Sequence, residues 1–146
     1  MKLVITCDCG ISNVNEIKML KSFGVDTIVT DHHEPAETLP DAVAIINPKV
    51  EGKLKENLDT DKIKHLSDLA GVGVAFKLAL GILEKIGQQS FADDLLPLVA
   101  VGTIADVVPL LGENREIVRR GLKAIAKTKL IGLQALMKVA GCTPDN

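Results

Sequence analysis

Aromatic side chains are nearly absent from this sequence, which has three Phe and no Trp or Tyr among 146 residues. Recognition of bases by stacked aromatic platforms is therefore not its main device. Three cysteines cannot form a disulfide framework, which is typical of a reducing compartment, so we expect a cytoplasmic protein. No apolar run approaches the roughly 20 residues of a membrane-spanning helix, and no membrane partner is expected.

The sequence also lacks a strong excess of one charge, since 17 basic and 19 acidic side chains give −2. This balance excludes a generic nucleic-acid binder. The charge is uneven, however: residues 1–106 carry −6 and residues 107–146 carry +4. A composition of 47% hydrophobic and 25% charged residues is that of a soluble protein with a core, and the length predicts one domain.

The first third of the chain has the pattern of a parallel sheet. Short, β-branched apolar runs at 3–7, 25–30 and 42–46 predict three strands. Between the first two, apolar residues at helical spacing predict a helix over 14–23, capped by Ser12 or Asn13 and ended by Gly24. Crossings this short indicate βαβ units in an α/β fold, with the sheet covered on both faces.

The remainder of the chain has a different pattern. Residues 49–66 are polar and poorly periodic, and they predict a surface excursion. Helices are predicted from a Ser67 or Asp68 cap to about residue 86, from a Ser90 cap to about 106, over 113–127 and over 130–139. We therefore expect one domain with a sheet part (1–48), the excursion (49–66) and a helical part (67–146).

Polar residues follow the predicted strands where a ligand is expected. In open α/β sheets, ligands bind at the carboxyl ends of the strands, which is where Asp8, Asp31, His32 and His33 lie. Adjacent histidines can reach a common site where the backbone turns. Imidazole with several carboxylates favours Mn²⁺ or Mg²⁺ over Zn²⁺. The alternative for the histidines is a loop before a helix, and for Asp8 a helix cap.

Asp106 is a carboxylate in the otherwise apolar stretch 99–111. Its burial is costly unless it is paired or metal-bound, and the alternative is an exposed Asp at a helix end. Cys7 and Cys9 do not have zinc-knuckle spacing, and Cys7 is expected to be a buried apolar residue. A structural zinc module formed by Cys7, Cys9 and His32 is a further alternative.

Basic side chains recur at every fourth residue near the C-terminus: Arg115, Arg119, Lys123 and Lys127. The first three are candidates for a contact with a nucleic-acid phosphate backbone. The alternative is the solvated face of an amphipathic helix whose apolar face includes Leu122.

Four stretches together carry a resemblance to a known family: VITCDCGISN at 4–13, VTDHHEP at 29–35, LAGVGVAFKLA at 69–79 and GTIADVVPLLGENR at 102–115. The chain resembles the DHH phosphoesterase superfamily and, within it, the RecJ-like branch of single-stranded-DNA-specific exonucleases. The resemblance extends over nearly the whole chain, with the motifs in the family's order.

The resemblance implies a hydrolase that cleaves single-stranded DNA from 5′ to 3′ with two Mn²⁺ or Mg²⁺ ions. It implies Asp8, His32 and Asp106 as metal ligands, His33 as a catalytic residue facing the scissile phosphate, and Asp31 as the carboxylate that orients a histidine. It also leaves open a phosphodiesterase for short oligonucleotides or cyclic dinucleotides, and a scaffold without catalysis.

The family pattern includes elements that this sequence does not contain. A first Asp-x-Asp motif would precede Asp8, and a DHHA1 domain would follow the last helix. We therefore expect a partial DHH domain that holds at most one cation and is weak or inactive alone. An exposed sheet edge is also expected, and with it self-association.

Overall fold

A three-stranded parallel sheet forms the first part of the structure, a computed structural model that describes residues 1–50 and 68–142. The strands pair in the order β1–β2–β3, with Val4 opposite Thr27 and Val29 opposite Ile45. The bounds are β1 Leu3–Ile5, α1 Val14–Ser22, β2 Asp26–Thr30 and β3 Ala44–Ile46. The prediction of an α/β fold with a parallel βαβ unit is therefore confirmed.

Strand β1 is shorter than predicted, although its hydrogen bonding continues beyond its end. The Asp8 N–H donates to the Thr30 carbonyl at 3.0 Å, so the loop after β1 runs beside the end of β2. Helix α1 ends as predicted, because Gly24 adopts a φ of 70°. Asn13 is the N-cap residue, but its side chain makes no capping hydrogen bond.

The expectation that both faces of the sheet are covered is wrong for β1. Leu3 and Ile5 are 46% and 52% exposed among the described residues, whereas Val29 of the central strand is fully buried. Strand β1 lies at the edge of the described sheet, whereas α1 and α2 pack against the central strand β2. The outer edge of β1 pairs with no strand in the described part of the chain. Self-association through this edge stays a prediction.

Helices make up the rest of the described chain. Their bounds are α2 Gly71–Lys85, α3 Ala92–Ala105, α4 Gly112–Ile125 and α5 Ile131–Val139, with a 3₁₀ turn at Gln89–Phe91. The predicted start of α2 is wrong, because Leu69 and Ala70 are buried and Ala70 is the extended N-cap residue. Ser90 lies in the 3₁₀ turn and does not cap α3.

The core lies between α2, α3 and α4. Its central side chains are Leu69, Val74, Phe76, Leu96, Val99 and Ile117. Helices α3 and α4 approach closely at Gly121, where a Cβ would lie 2.4 Å from Ala100 Cβ and 2.5 Å from the Leu96 carbonyl oxygen. This contact fixes the loop between the two helices, which begins at Asp106.

Two sequence predictions concern regions that the structure describes only in part. Residues 48–50 are helical, and the rest of the predicted excursion at 49–66 lies outside the described residues. The division of the domain into three parts stays a prediction. Among the described helices, none has the length and apolar character that crossing a bilayer requires.

Candidate metal centre

Asp31 anchors the loop that follows β2. Its side chain is almost fully buried and accepts hydrogen bonds from the N–H groups of Ile11 (2.9 Å), His32 (2.8 Å) and His33 (3.2 Å). Burial raises the pKa of Asp31, but the hydrogen bonds from Ile11 and His33 outweigh it and place the pKa below its usual range. Asp31 is thus an ionised carboxylate whose oxygens are already engaged, and it positions the two histidines.

His33 is held by Asp31 from one side. Its Nδ1 lies 2.7 Å from Asp31 Oδ1, and Asn47 donates to the His33 carbonyl at 3.0 Å. The hydrogen bond to Asp31 raises the pKa of His33. Because Nδ1 donates to the carboxylate, Nε2 is the atom through which the ring can act on a ligand. The side chain is 60% exposed, so a substrate can reach it.

His32 faces two carboxylates. Its Nε2 lies 3.0 Å from Asp8 Oδ1 and 3.7 Å from Asp106 Oδ2. The Nε2 atom is buried, yet it has no hydrogen-bond partner among the described residues. A buried nitrogen without a partner is costly. A buried ring nitrogen that lies within 4 Å of two carboxylates and bonds to neither fits a shared divalent cation, to which each group would contribute one ligand atom.

The candidate cluster comprises Asp8, His32 and His33, whose ligand atoms lie within 4.8 Å of one another. Nitrogen and oxygen donors without a thiolate fit Mn²⁺ or Mg²⁺ better than a structural zinc. Neither Cys7 nor Cys9 belongs to this cluster, although both are exposed. The expectation that Cys7 is buried is wrong, because β1 ends at Ile5 and Cys7 lies beyond it.

Asp8 lies in a strained loop between β1 and α1. Its φ is 63°, in the left-handed region that Asp tolerates better than most residues. Two side-chain hydrogen bonds fix the backbone on either side of it. Thr6 Oγ1 donates to the Cys9 carbonyl, and Thr30 Oγ1 donates to the Thr6 carbonyl, both at 2.7 Å. The loop therefore presents the Asp8 carboxylate in one direction.

Asp106 approaches the site from the helical part. It is the C-cap residue of α3, and the following residue, Val107, has a φ of 60°. Its carboxylate is 30% exposed and faces His32 across the 3.7 Å gap. The structure thus brings Asp8, Asp31, His32, His33 and Asp106 together from three different loops.

Three positioning residues were not predicted from the sequence: Gly71, Asn47 and Asn114. Gly71 abuts Asp8, because a Cβ at this position would lie 2.1 Å from Asp8 Oδ1. The side chain of Asn114 is fully buried and donates to two loop carbonyls. A signal for Asn114 was available, since it occupies an apolar position of α4, at helical spacing from Ile117, Val118 and Gly121.

Among the described residues, the basic side chains of α4 make no ion pair with this cluster. Arg119 makes a two-bond ion pair with Glu116, at 2.7 and 2.8 Å, which lowers the pKa of Glu116. Arg115 and Lys123 make no ion pair with a residue of 1–50 or 68–142. Leu122 is 47% exposed and does not belong to the buried face, contrary to expectation. Contact with DNA stays a prediction for this surface.

Curated relatives with substantial identity are single-stranded-DNA-specific exonucleases named RecJ. The chain is 46% identical over 139 residues to the protein of Bacillus subtilis and 40% identical over 144 residues to that of Thermus thermophilus. These alignments cover 95% and 97% of this chain but 16% and 19% of the relatives. The chain therefore spans less than a fifth of these two proteins.

Solved structures give the same assignment. An exonuclease RecJ bound to manganese matches with a TM-score of 0.79 and 38% identity, over 98% of this chain and 34% of that one. RecJ from Thermus thermophilus in complex with Mn²⁺ has the same TM-score and identity, over 20% of its chain. The family model described as "DHH family, N-terminal domain" matches residues 2–103. With its fold, its order of motifs and its histidine–carboxylate cluster, this chain belongs to the DHH family.

Proposed function

We propose that this chain provides metal ligands of a RecJ-type exonuclease, a hydrolase that cleaves phosphodiester bonds of single-stranded DNA with Mn²⁺ or Mg²⁺. The observation that carries the proposal is the buried, unpartnered Nε2 of His32 facing Asp8 and Asp106. The similarity to RecJ proteins, among them manganese-bound structures, supports it.

In this proposal, Asp8, His32 and Asp106 hold the cation. When bound, a divalent cation supplies Lewis-acid polarisation of the phosphodiester. The exposed edges of Asp8 and Asp106 give access to the substrate from solvent.

His33 acts on the phosphate group directly. Its Nε2 is available because Asp31 holds Nδ1, and the raised pKa keeps the ring protonated over a wider pH range. A protonated Nε2 can stabilise the developing charge on a phosphate oxygen or donate a proton to the leaving oxygen. Asp31 fixes the orientation of that ring and holds the loop that carries it.

Arg115, Arg119 and Lys123 are the proposed contacts with the DNA backbone. They lie in the net-positive part of the chain and on the exposed side of α4. Because a run of phosphates extends beyond the cleaved bond, basic side chains outside the metal centre can hold the strand in place.

Metal binding is the direct test of the proposal. Titration of Mn²⁺ into the chain, followed by the electron paramagnetic resonance signal of the free ion, should give a saturable site. Asp8→Asn and Asp106→Asn should each raise the Kd by more than about 10-fold, since they remove a ligand charge. Asp41→Asn is the matched control, because this exposed carboxylate pairs with Lys21. A wild-type chain without saturable binding would contradict the proposed site.

Substrate class is tested with labelled DNA in Mn²⁺ buffer. The proposal expects release of mononucleotides from a single strand and none from a blunt duplex, with His33→Gln slower by about 100-fold or more. Hydrolysis of di- and trinucleotides but not of long strands would instead indicate a small-substrate phosphodiesterase. Metal binding without turnover of any substrate would indicate that residues 1–146 bind the cation but do not catalyse hydrolysis on their own.

A further inference from the structure

Asn114 links the two loops that carry the helical side of the candidate metal centre. Its Nδ2 donates to the Asp68 carbonyl at 2.6 Å and to the Pro109 carbonyl at 3.0 Å. The side chain is fully buried in the third position of α4. One amide group therefore joins the segment that leads into α2 to the segment that leaves α3.

Each of these segments continues into the candidate site. Asp68 lies three residues before Gly71, whose backbone is pressed against the Asp8 carboxylate. Pro109 lies three residues after Asp106, whose carboxylate faces His32. A displacement of either segment would therefore change the separation of the two carboxylates that flank His32.

The chemistry of the side chain fits this role better than a packing role. An apolar residue would be expected at this buried position, next to Ile117 and Val118 on the same face of α4. The amide instead leaves its own Oδ1 without a hydrogen bond among the described residues, which is costly. The two hydrogen bonds that Nδ2 donates to the Asp68 and Pro109 carbonyls offset this cost.

We infer that Asn114 is a positioning residue that sets the spacing of Asp8 and Asp106, and thereby the affinity of the site for a divalent cation. This inference rests on the proposed metal site and assigns to it a residue that contacts neither metal ligand. Both of its bonds go to main-chain carbonyls, so the effect is on backbone position and does not depend on the charge of the side chain.

Two substitutions of Asn114 distinguish an effect on the position of the backbone from an effect of side-chain charge. Asn114→Leu keeps the volume and removes both bonds, and Asn114→Asp keeps the shape but places an acceptor against two carbonyl oxygens. We expect each to raise the Kd for Mn²⁺ by about 10-fold, as for the loss of an outer partner of a metal ligand. If charge alone mattered, the added carboxylate of Asn114→Asp would lower the Kd.

The control separates position from stability. Thr128→Val removes a buried hydroxyl that accepts from the Leu130 N–H at 3.3 Å in the α4–α5 connection. It should lower the melting temperature and leave the Kd within about two-fold, since distant sites are independent. All Kd values are measured well below the melting temperature of each variant, as determined by circular dichroism.

The outcomes are distinct. Folded Asn114 variants with the wild-type Kd would overturn this inference and leave the metal site intact, whereas a wild-type chain that binds no Mn²⁺ would overturn both. If neither variant folds, hydrogen exchange of the wild-type chain decides. Mn²⁺ should then slow exchange both at residues 68–71 and at residues 107–111, and slowing in only one of these segments contradicts a shared positioning residue.

Discussion

The backbone of Gly71 lies so close to the Asp8 carboxylate that a side chain at position 71 would require the Asp8 side chain to move. A Cβ at position 71 would lie 2.1 Å from Asp8 Oδ1 and 2.6 Å from Asp8 Cβ. The first turn of α2 thus packs directly against the side chain that we propose as a metal ligand. Packing of the helical part against the sheet therefore sets the direction of Asp8.

Gly71→Ala should weaken both metal binding and the fold. The methyl group must displace the Asp8 carboxylate, so we expect the Kd for Mn²⁺ to rise about 10-fold. Overpacking should lower the free energy of unfolding by about 1–3 kcal/mol. Manganese titration and thermal melts of the same samples measure both effects.

The matched control for this substitution is in the same helix. At Gly81 nothing lies within 4 Å of an added Cβ. Gly81→Ala should therefore stabilise α2 by about 0.5–1 kcal/mol through helix propensity alone, with no change in Mn²⁺ affinity. An equal loss of affinity in both variants would contradict the contact between position 71 and Asp8.

Asp31→Asn should destabilise the chain even without metal. The amide nitrogen cannot accept the hydrogen bonds that one carboxylate oxygen now accepts, and a buried N–H is left unpaired. We expect the free energy of unfolding to fall by about 3 kcal/mol. Asp26→Asn, at the exposed start of β2, should change it by less than about 0.5 kcal/mol. Urea unfolding in a chelating buffer compares the two variants.

The pH dependence of this difference follows from the direction of the pKa shift. Because the folded-state pKa of Asp31 is lowered, its stabilising contribution is present above the unfolded pKa. That contribution is lost as the pH falls through the folded-state pKa. The difference in the free energy of unfolding between wild type and Asp31→Asn should therefore become smaller in acid. If this difference instead becomes larger on acidification, Asp31 is protonated in the folded chain at neutral pH.

The ion pair on α4 allows a test of the proposed DNA contact in both directions. Arg115→Ala and Lys123→Ala should weaken binding of oligothymidylate and reduce its salt slope by about 0.7 each. Glu116→Gln removes the carboxylate that holds Arg119 and should tighten binding. Fluorescence anisotropy at several salt concentrations measures these changes, with Lys138→Ala on α5 as control. Equal weakening by Lys138→Ala would indicate a general charge effect rather than a DNA-binding face.

Local signals in the sequence were sufficient for much of the fold. Short β-branched runs and the glycine at 24 gave the strands and the end of α1, because these features depend on neighbours along the chain. The site residues at the strand ends followed from one general rule, that the carboxyl ends of parallel strands lie together. Asp8 and Asp31 could thus be placed near each other without a structure.

The long-range contacts around the candidate site could not be predicted from the sequence. The approach of Gly71 to Asp8 joins residues that are distant in the chain, and no local pattern encodes it. The start of α2 was misplaced for a related reason, since burial of Leu69 in the core overrides the capping preference of the preceding polar residues. Asn114 did leave a signal, a polar residue at a buried helical position, whose significance depends on which loops it reaches.

The last prediction concerns Val107, the residue after Asp106. It adopts a φ of 60° at the end of α3, a backbone conformation that glycine usually occupies and a β-branched residue rarely does. Its side chain is 86% exposed. Little packing would be lost on replacement, so Val107→Asn should relieve strain and raise the free energy of unfolding by about 1 kcal/mol. Thermal and urea unfolding measure this gain.

Gly24 provides the opposite substitution. It has a φ of 70° and nothing lies within 4 Å of an added Cβ, so Gly24→Ala tests backbone strain without a change in packing. It should lower the free energy of unfolding by about 1 kcal/mol. If Val107→Asn also lowers the free energy of unfolding, packing of the isopropyl group at position 107 must stabilise the fold by more than the backbone strain destabilises it. Val107 would then be held in its strained conformation by its side chain, next to the carboxylate that we propose as a metal ligand.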